Sequence, residues 1–312
     1  MNRRRIALGI SAVGGVAALA AGISSIAFST TPAPVRLGLD PVGAVRAAGT
    51  ATAESGTAQV DTVVTKSMPA VPAKGTVAGA AAMTTTTHGA GLFDFGRQIG
   101  EVNLTTDKGQ LQEVLTPSSL FLRAGGPAEA GLPAGKGWSR FDVGRLPDGN
   151  LVIGGSPAPA MTFAMLAGVA ADVKYVGQDD VRDTAVAHYQ GTIDLAEAAS
   201  APVPTGNAAA AADKKALTNA SHAFTTQIPF DAYLDGQGRL RRFVARFEFT
   251  VPGPAHTRAE VTSATELYSF GVPVDVTVPV PTAPPAAPTP TVSSAFPAPA
   301  RRPVSPVRTT QK

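Results

Sequence analysis

The sharpest alternation of apolar and polar positions lies between residues 228 and 251. Ile228, Phe230, Ala232 and Leu234 fall on one side of an extended chain, with Asp231 and Tyr233 on the other. Asp235-Gly236-Gln237-Gly238 supplies a turn. From Arg239 a return strand sets Phe243, Ala245, Phe247, Phe249 and Val251 against Arg242, Arg246, Glu248 and Thr250, with Val244 interrupting the polar side. Strand side chains alternate with period two, so this pattern predicts a hairpin with one apolar and one wet face. After Pro252-Gly253-Pro254 a third strand is predicted over 258–270, carrying Val261 and Leu267. The apolar side of this antiparallel meander needs a cover.

The same reading extends along the chain. Over 184–195, Ala185, Ala187, Tyr189, Gly191, Ile193 and Leu195 share a face opposite His188, Gln190, Thr192 and Asp194. Upstream, strands are predicted at 60–68, 76–87, 92–105, 110–115, 119–123 and 138–143, separated by Gly, Pro, Asp or Lys clusters. Residues 171–178 read as extended, with a turn at Asp179-Asp180. Helices are fewer. Asp40-Pro41 has the form of an N-cap followed by proline at the first helical position, opening a helix to about Glu54 with a thin stripe of Val42, Val45, Ala48 and Thr52. A second helix follows Pro157 or Pro159 with Met161, Met165, Leu166 and Val169. The Ala-rich stretch 196–222 reads as helical segments around a flexible insert at 202–206. The fold class is therefore α+β: a large antiparallel sheet with a few covering helices.

Composition changes the picture mainly at the ends. Arg3, Arg4 and Arg5 precede an apolar run over 6–28, the pattern of an export segment that places the remainder outside the cytoplasm. Its length suffices to span a bilayer, so 1–34 is either a cleaved signal peptide or a retained anchor, with Ser-Ile-Ala at 25–27 or Thr-Pro-Ala at 31–33 as cleavage sites. Residues 35–278 form the domain, and 279–312 a Pro-rich basic tail expected to be extended and solvated. The net charge of +3 resides in these ends, which argues against a nucleic-acid surface. The chain has no cysteine, which excludes disulfides, a thiol nucleophile, a cysteine metal site and a lipid-modified N-terminal cysteine.

Little catalytic chemistry is legible. The histidines, His88, His188, His222 and His256, have no metal-ligand spacing. His188, on the polar side of a good strand, reads as a solvated or hydrogen-bonded residue. Ser156 in Gly154-Gly155-Ser156-Pro157 lacks the second glycine of a nucleophile elbow. Asp235 to Gly238 lacks the ligand ladder of a calcium loop. No cofactor or metal is expected. What remains is a broad apolar sheet face under sparse, Ala-rich helices, compatible with an apolar ligand pocket or with an ordinary packed core.

Particular residues carry a resemblance. Ser119-Leu120-Phe121-Leu122-Arg123 and Gly137-Trp138-Ser139-Arg140-Phe141-Asp142 resemble paired strands of LolA-like lipid carriers. The segments 176–182, 188–195 and 231–242, and the closing Tyr268-Ser269-Phe270-Gly271-Val272-Pro273-Val274-Asp275-Val276, resemble the actinobacterial LppX/LprG branch, the last as its terminal strand. The resemblance implies a half-barrel of antiparallel strands curled around helices and enclosing a hydrophobic cavity. It also implies a non-enzymatic protein that carries or senses lipid or lipoglycan in the cell envelope. The chain departs from that family in lacking the cysteine after the export segment, so membrane attachment must use the N-terminal segment or a membrane-protein partner. The expected cavity wall is Tyr189, Ile193, Leu195, Phe230, Phe243, Phe247 and Phe249, residues that serve equally as plain core. An envelope sensor that binds a membrane protein through the same fold is the alternative.

Overall fold

The structure is a computed structural model that describes residues 40–70, 79, 81–125, 137–151, 158–203, 207–250 and 258–282. Its strands are β1 (Thr57–Met68), β2 (Met83–Asp94), β3 (Ile99–Thr106), β4 (Gly109–Leu115), β5 (Ser119–Ala124), β6 (Ser139–Asp142), β7 (Lys174–Val181), β8 (Thr184–Asp194), β9 (Gln227–Leu234), β10 (Leu240–Thr250) and β11 (Arg258–Tyr268). Its helices are α1 (Pro41–Ala53), α2 (Pro159–Met165), α3 (Leu195–Ser200) and α4 (Ala208–Ala223). Among the described residues, these eleven strands form one sheet in the order β6-β5-β4-β3-β2-β1-β11-β10-β9-β8-β7. Every neighbouring pair is antiparallel. The chain winds outward from β1 to β6, crosses through α2, and winds back inward from β7 to β11, which zips onto β1.

The alternation read in the sequence becomes burial. Phe243, Ala245, Phe247 and Phe249 of β10 point inward while Arg246, Glu248 and Thr250 face solvent. In β1, Ala58, Val60, Thr62 and Val64 take the same inner face. The inner face joins Val45 of α1, Met161 and Met165 of α2, and Ala216, Leu217 and Ala220 of α4 in one apolar core. Two inward positions of β2 are glycines, and both lie against a crowded neighbour strand. A Cβ on Gly91 would sit 1.9 Å from the Glu101 carbonyl oxygen, and one on Gly89 would sit 2.6 Å from Thr62. Glycine here lets neighbouring backbones come close on the inner side, where a side chain would hold them apart.

The helix signals are realised. Asp40 caps α1 by accepting from the Gly43 amide at 2.8 Å, and Pro41 opens it. Asp194 caps α3, accepting from the amides of Ala196 and Glu197. Leu195 accordingly begins a helix rather than ending a strand.

Three further expectations are corrected. The predicted strand 92–105 is the end of β2 and most of β3, broken by a tight turn in which Gln98 takes a left-handed φ of 50°. That turn, Phe95-Gly96-Arg97-Gln98, is held by the Arg97 amide donating to Asp94 at 2.9 Å. Asp179 and Asp180 lie inside β7 rather than in a turn, and the reversal comes at Arg182 and Asp183, with φ of 49° and 57°. Positive φ at both central residues is the two-residue hairpin geometry for which Asn-Gly is the usual sequence, so Arg-Asp gave no signal. The segment 272–276 forms no strand. It extends over the outer face of β3, β4 and β5, where Val276 packs with Ile99, Val114 and Phe121 beside Trp138. The predicted strand 76–87 begins at Met83, its first residues lying outside the described ones. The export segment, the insert at 204–206, Ser156, His256 and the tail beyond 282 also lie outside the described residues.

Candidate functional site

The inner face is the candidate site, and register shows how it is assembled. One transverse row runs Tyr189, Ala232, Phe243, Thr265, Thr62, Gly89, Leu104, Leu111, Ala124 across nine strands. A parallel row runs Leu267, Val60, Gly91, Val102, Glu113, Leu122, Ser139. A third carries Phe247, Val261, Lys66 and Thr85.

All the wall residues expected from sequence face this interior. Phe230 and Phe243 stack with ring centroids 5.7 Å apart. Phe247 and Phe249 gather around Phe224, at 5.1 and 6.1 Å. Tyr189 meets Tyr175 edge-on at 5.6 Å. Ile193 lies on β8, and Leu195 opens α3. Tyr189, Ile193, Leu195, Phe230, Phe243, Phe247 and Phe249 are between 0 and 8 % exposed. Exposure that low leaves almost no space for water against them, so in this conformation they form closed core, with Phe249 at its margin.

Open space lies along one rim of the sheet. A cleft of about 480 Å³ is lined by Asn103, Leu104, Thr105, Gln110, Leu111, Gln112, Arg123, Ala124 and Gly125 at the ends of β3 to β5. A second, of about 320 Å³, lies between the C-terminus of α4 and β10, lined by His222, Phe224, Thr225, Glu248, Phe249, Thr250 and Arg258 among others. Phe249 is thus a wall residue that reaches a cleft. The register puts Thr105, Lys66 and Phe249 toward the same ends of their strands, so both clefts open on that rim.

Three titratable groups are perturbed by this interior. Glu113, between Val102 and Leu122, is wholly buried, and burial holds its carboxyl well above the usual range. Among the described residues neither of its oxygens has a hydrogen-bond partner. Lys66 lies on the inner face near the rim, where burial lowers its pKa and the charge of Asp148 opposes that shift. Asp213 of α4 is pushed up to about 6 by burial. It borders a space of about 20 Å³ with Gln98, Asn150 and Met161, room for a single water. Asp148 itself is buried and accepts from the Asn150 amide at 3.0 Å. No sequence pattern singled out Asp148 or Asp213. Glu113 did leave a trace: it falls in phase with Leu111 and Leu115, which marks a carboxyl on an apolar strand face.

The outer face carries an ionic and aromatic belt. Asp231 accepts from His188 Nε2 at 2.8 Å, Gln190 at 2.7 Å and Arg246 at 2.9 Å. Burial works against its charge, but these hydrogen bonds outweigh it and hold the carboxyl below its usual value. His188 also stacks on Tyr233 at 4.3 Å. Farther along, Glu266 receives Arg242 and Arg182, Arg182 also pairs with Asp61, and its guanidinium lies 3.8 Å over the Tyr268 ring. The hydrogen-bonded reading of His188 therefore holds, with a partner in Asp231 that the sequence did not reveal. Asp235 accepts from the amides of Gln237 and Arg239 in the β9–β10 turn, as a hairpin residue should. Among the described residues no group of three or more His, Asp or Glu side chains is placed to hold a metal ion, and no helix is long and apolar enough to cross a membrane.

No family model matches the sequence, and comparison with curated proteins finds no match. Solved structures do show likeness. The chain is similar to the lipoprotein LppX of Mycobacterium tuberculosis, with a TM-score of 0.42 and 10 % identity over 76 % of this chain and 98 % of that one. It is similar to LprF of Mycobacterium bovis, at 0.37 and 13 % over 78 % and 98 %, and to a LolA superfamily protein of Nitrosomonas europaea, at 0.30 and 8 % over 74 % and 94 %. Likeness this distant carries no functional weight. The α+β architecture of one large open antiparallel sheet with helices on its inner face rests on the strand order and burial above.

Proposed function

We propose that the protein is a non-enzymatic carrier that shelters an acyl chain between the sheet and its helices, working outside the cytoplasm after export through its N-terminal segment. The observation that carries this reading is the mismatch between the two layers. The sheet presents an apolar face across its strands, tied by continuous ladders. Its cover is thin: α4 has 16 residues but buries only Ala216, Leu217 and Ala220, and α3 buries Leu195, Ala198 and Ala199. At about 0.8 kcal/mol per buried methylene or methyl, the three α4 side chains hold it by roughly 4 kcal/mol. An acyl chain that buries twelve methylenes returns about 10 kcal/mol on the same scale. The ligand term exceeds the cost of displacing α4, so the cover is the layer that yields. The cleft beside Phe224 and Phe249 lies where α4 ends, which suits entry at that rim.

Hydrogen exchange on the full chain tests this. Amides of α4 (Ala208–Ala223) are expected to exchange at least tenfold faster than those of β1, β10 and β11, and to slow when lipid extracted from the producing cells is added. Native mass spectrometry should show a discrete lipid adduct that Phe247→Trp, a space-filling change, removes. Protein that stays empty with every lipid offered, and whose α4 exchanges like the sheet, sinks the carrier reading.

A further inference from the structure

Glu113 stands apart from the other inner-face residues. Its neighbours on the same side of β4 are Leu111 and Leu115, and its cross-strand neighbours are Val102 and Leu122. All four are apolar and belong to the main core. The carboxyl is 0 % exposed, and among the described residues both oxygens are without a partner. Packing alone would be served better by leucine at this position, because an unpaired buried polar group is a net loss.

Such surroundings favour the neutral acid, with one O–H to donate and a carbonyl to accept. It is matched to an uncharged oxygen, such as an ester carbonyl or a hydroxyl. A cationic ligand would instead have to strip its proton. Access is short: Leu111 forms part of the lining of the 480 Å³ cleft, and Glu113 is two residues farther along β4, about 7 Å at strand rise. Two more hydroxyls on the inner face, Thr62 Oγ1 and Ser263 Oγ, are buried without a hydrogen-bond partner among the described residues. Thr62 is three strands from Glu113 and two residues off its row, about 16 Å away at the usual strand spacing and rise. A long, mostly apolar molecule with oxygens spaced along it would meet both ends of that span.

We infer that Glu113 is a polar anchor of the interior, donating a hydrogen bond to an ester or hydroxyl oxygen of an uncharged acyl ligand. This rests on the carrier reading, which it deepens by naming the ligand's polar group. The test uses the full chain and two probes of equal length offered in detergent micelles, methyl laurate and tetradecane. Bound amounts are measured by extraction and gas chromatography. Wild type should favour methyl laurate about tenfold, the worth of one net hydrogen bond. Glu113→Leu should bind tetradecane as well as wild type does and lose that preference. Glu113→Gln, whose amide can also donate, should keep most of it. A Glu113→Leu protein that still prefers the ester overturns the anchor while leaving the carrier reading intact. Wild type that takes up neither probe overturns the carrier reading, and the anchor with it.

Discussion

Replacing Glu113 by leucine should stabilise the unliganded protein, and the gain should grow with pH. Removing an unpartnered buried polar group relieves about 1–3 kcal/mol. The new side chain buries apolar area worth about 2 kcal/mol, from which up to about 1.5 kcal/mol is lost if its extra branch crowds Val102 or Leu122. The protonation contribution comes on top. The folded chain keeps this proton to a higher pH than the unfolded chain, whose carboxyl has the ordinary value of 4.5. Folding therefore takes up a proton, and stability falls as pH rises above 4.5 until the folded group itself ionises. The slope in that window is about 1.4 kcal/mol per pH unit. Urea unfolding of wild type, Glu113→Leu and Glu113→Gln at pH 5, 6 and 7 reads all of this. The difference between wild type and Glu113→Leu isolates Glu113 from the other titrating groups. We expect the leucine variant to be the more stable by roughly 2–5 kcal/mol before protonation enters, and the gap to widen by about 1.4 kcal/mol per pH unit above 4.5 for as long as the folded carboxyl keeps its proton. Glu113→Gln keeps an unpaired polar group but should show the same flattened pH slope. A leucine variant that is less stable than wild type, with parallel pH profiles, would refute the reasoning by showing that the carboxyl is charged and paired.

Further outcomes are expected elsewhere. Asp213, raised to about 6 from 3.8 by burial, costs stability as pH rises between those values; Asp213→Asn should remove that loss, at most about 3 kcal/mol, measured by thermal melts at pH 4 and 7. Asp231 is shifted the other way, so its stabilisation is present above 3.8 and lost as pH falls through its lower folded value. Asp231→Ala should destabilise by about 2–3 kcal/mol at pH 7, because it strands His188 and Gln190 on the outer face; a loss under 0.5 kcal/mol in urea titration would show that water replaces it.

Much of the architecture was open to direct reading because strands with one wet face carry their orientation residue by residue. The period-two runs of β8, β9 and β10 assigned Tyr189, Phe230, Phe243 and Phe247 to the inner side, and burial agrees. Asp40-Pro41 marked α1 because a cap and a proline act locally. Turns were harder. The β7–β8 reversal uses Arg182 and Asp183, whose left-handed backbone is imposed by pairing of the flanking strands rather than by residue preference. The β2–β3 turn was hidden because Phe95-Gly96-Arg97-Gln98 interrupts two strands of matching pattern.

The sequence by itself determined the α+β class, the apolar face of the sheet and the scarcity of covering side chains, all of which follow from local periodicity and composition. Tertiary structure decided which strands meet, and with them every long-range polar pairing. Only the β8–β9 register places His188 beside Asp231, and only the β10–β11–β1 pairing brings Arg242, Glu266 and Asp61 into one belt. It also decided that the expected wall residues close on one another as core, and that Glu113 is enclosed with no hydrogen-bond partner among the described residues. The reason is physical: alternation tells which face a side chain takes, whereas exposure and partnership depend on what distant segments lay against that face.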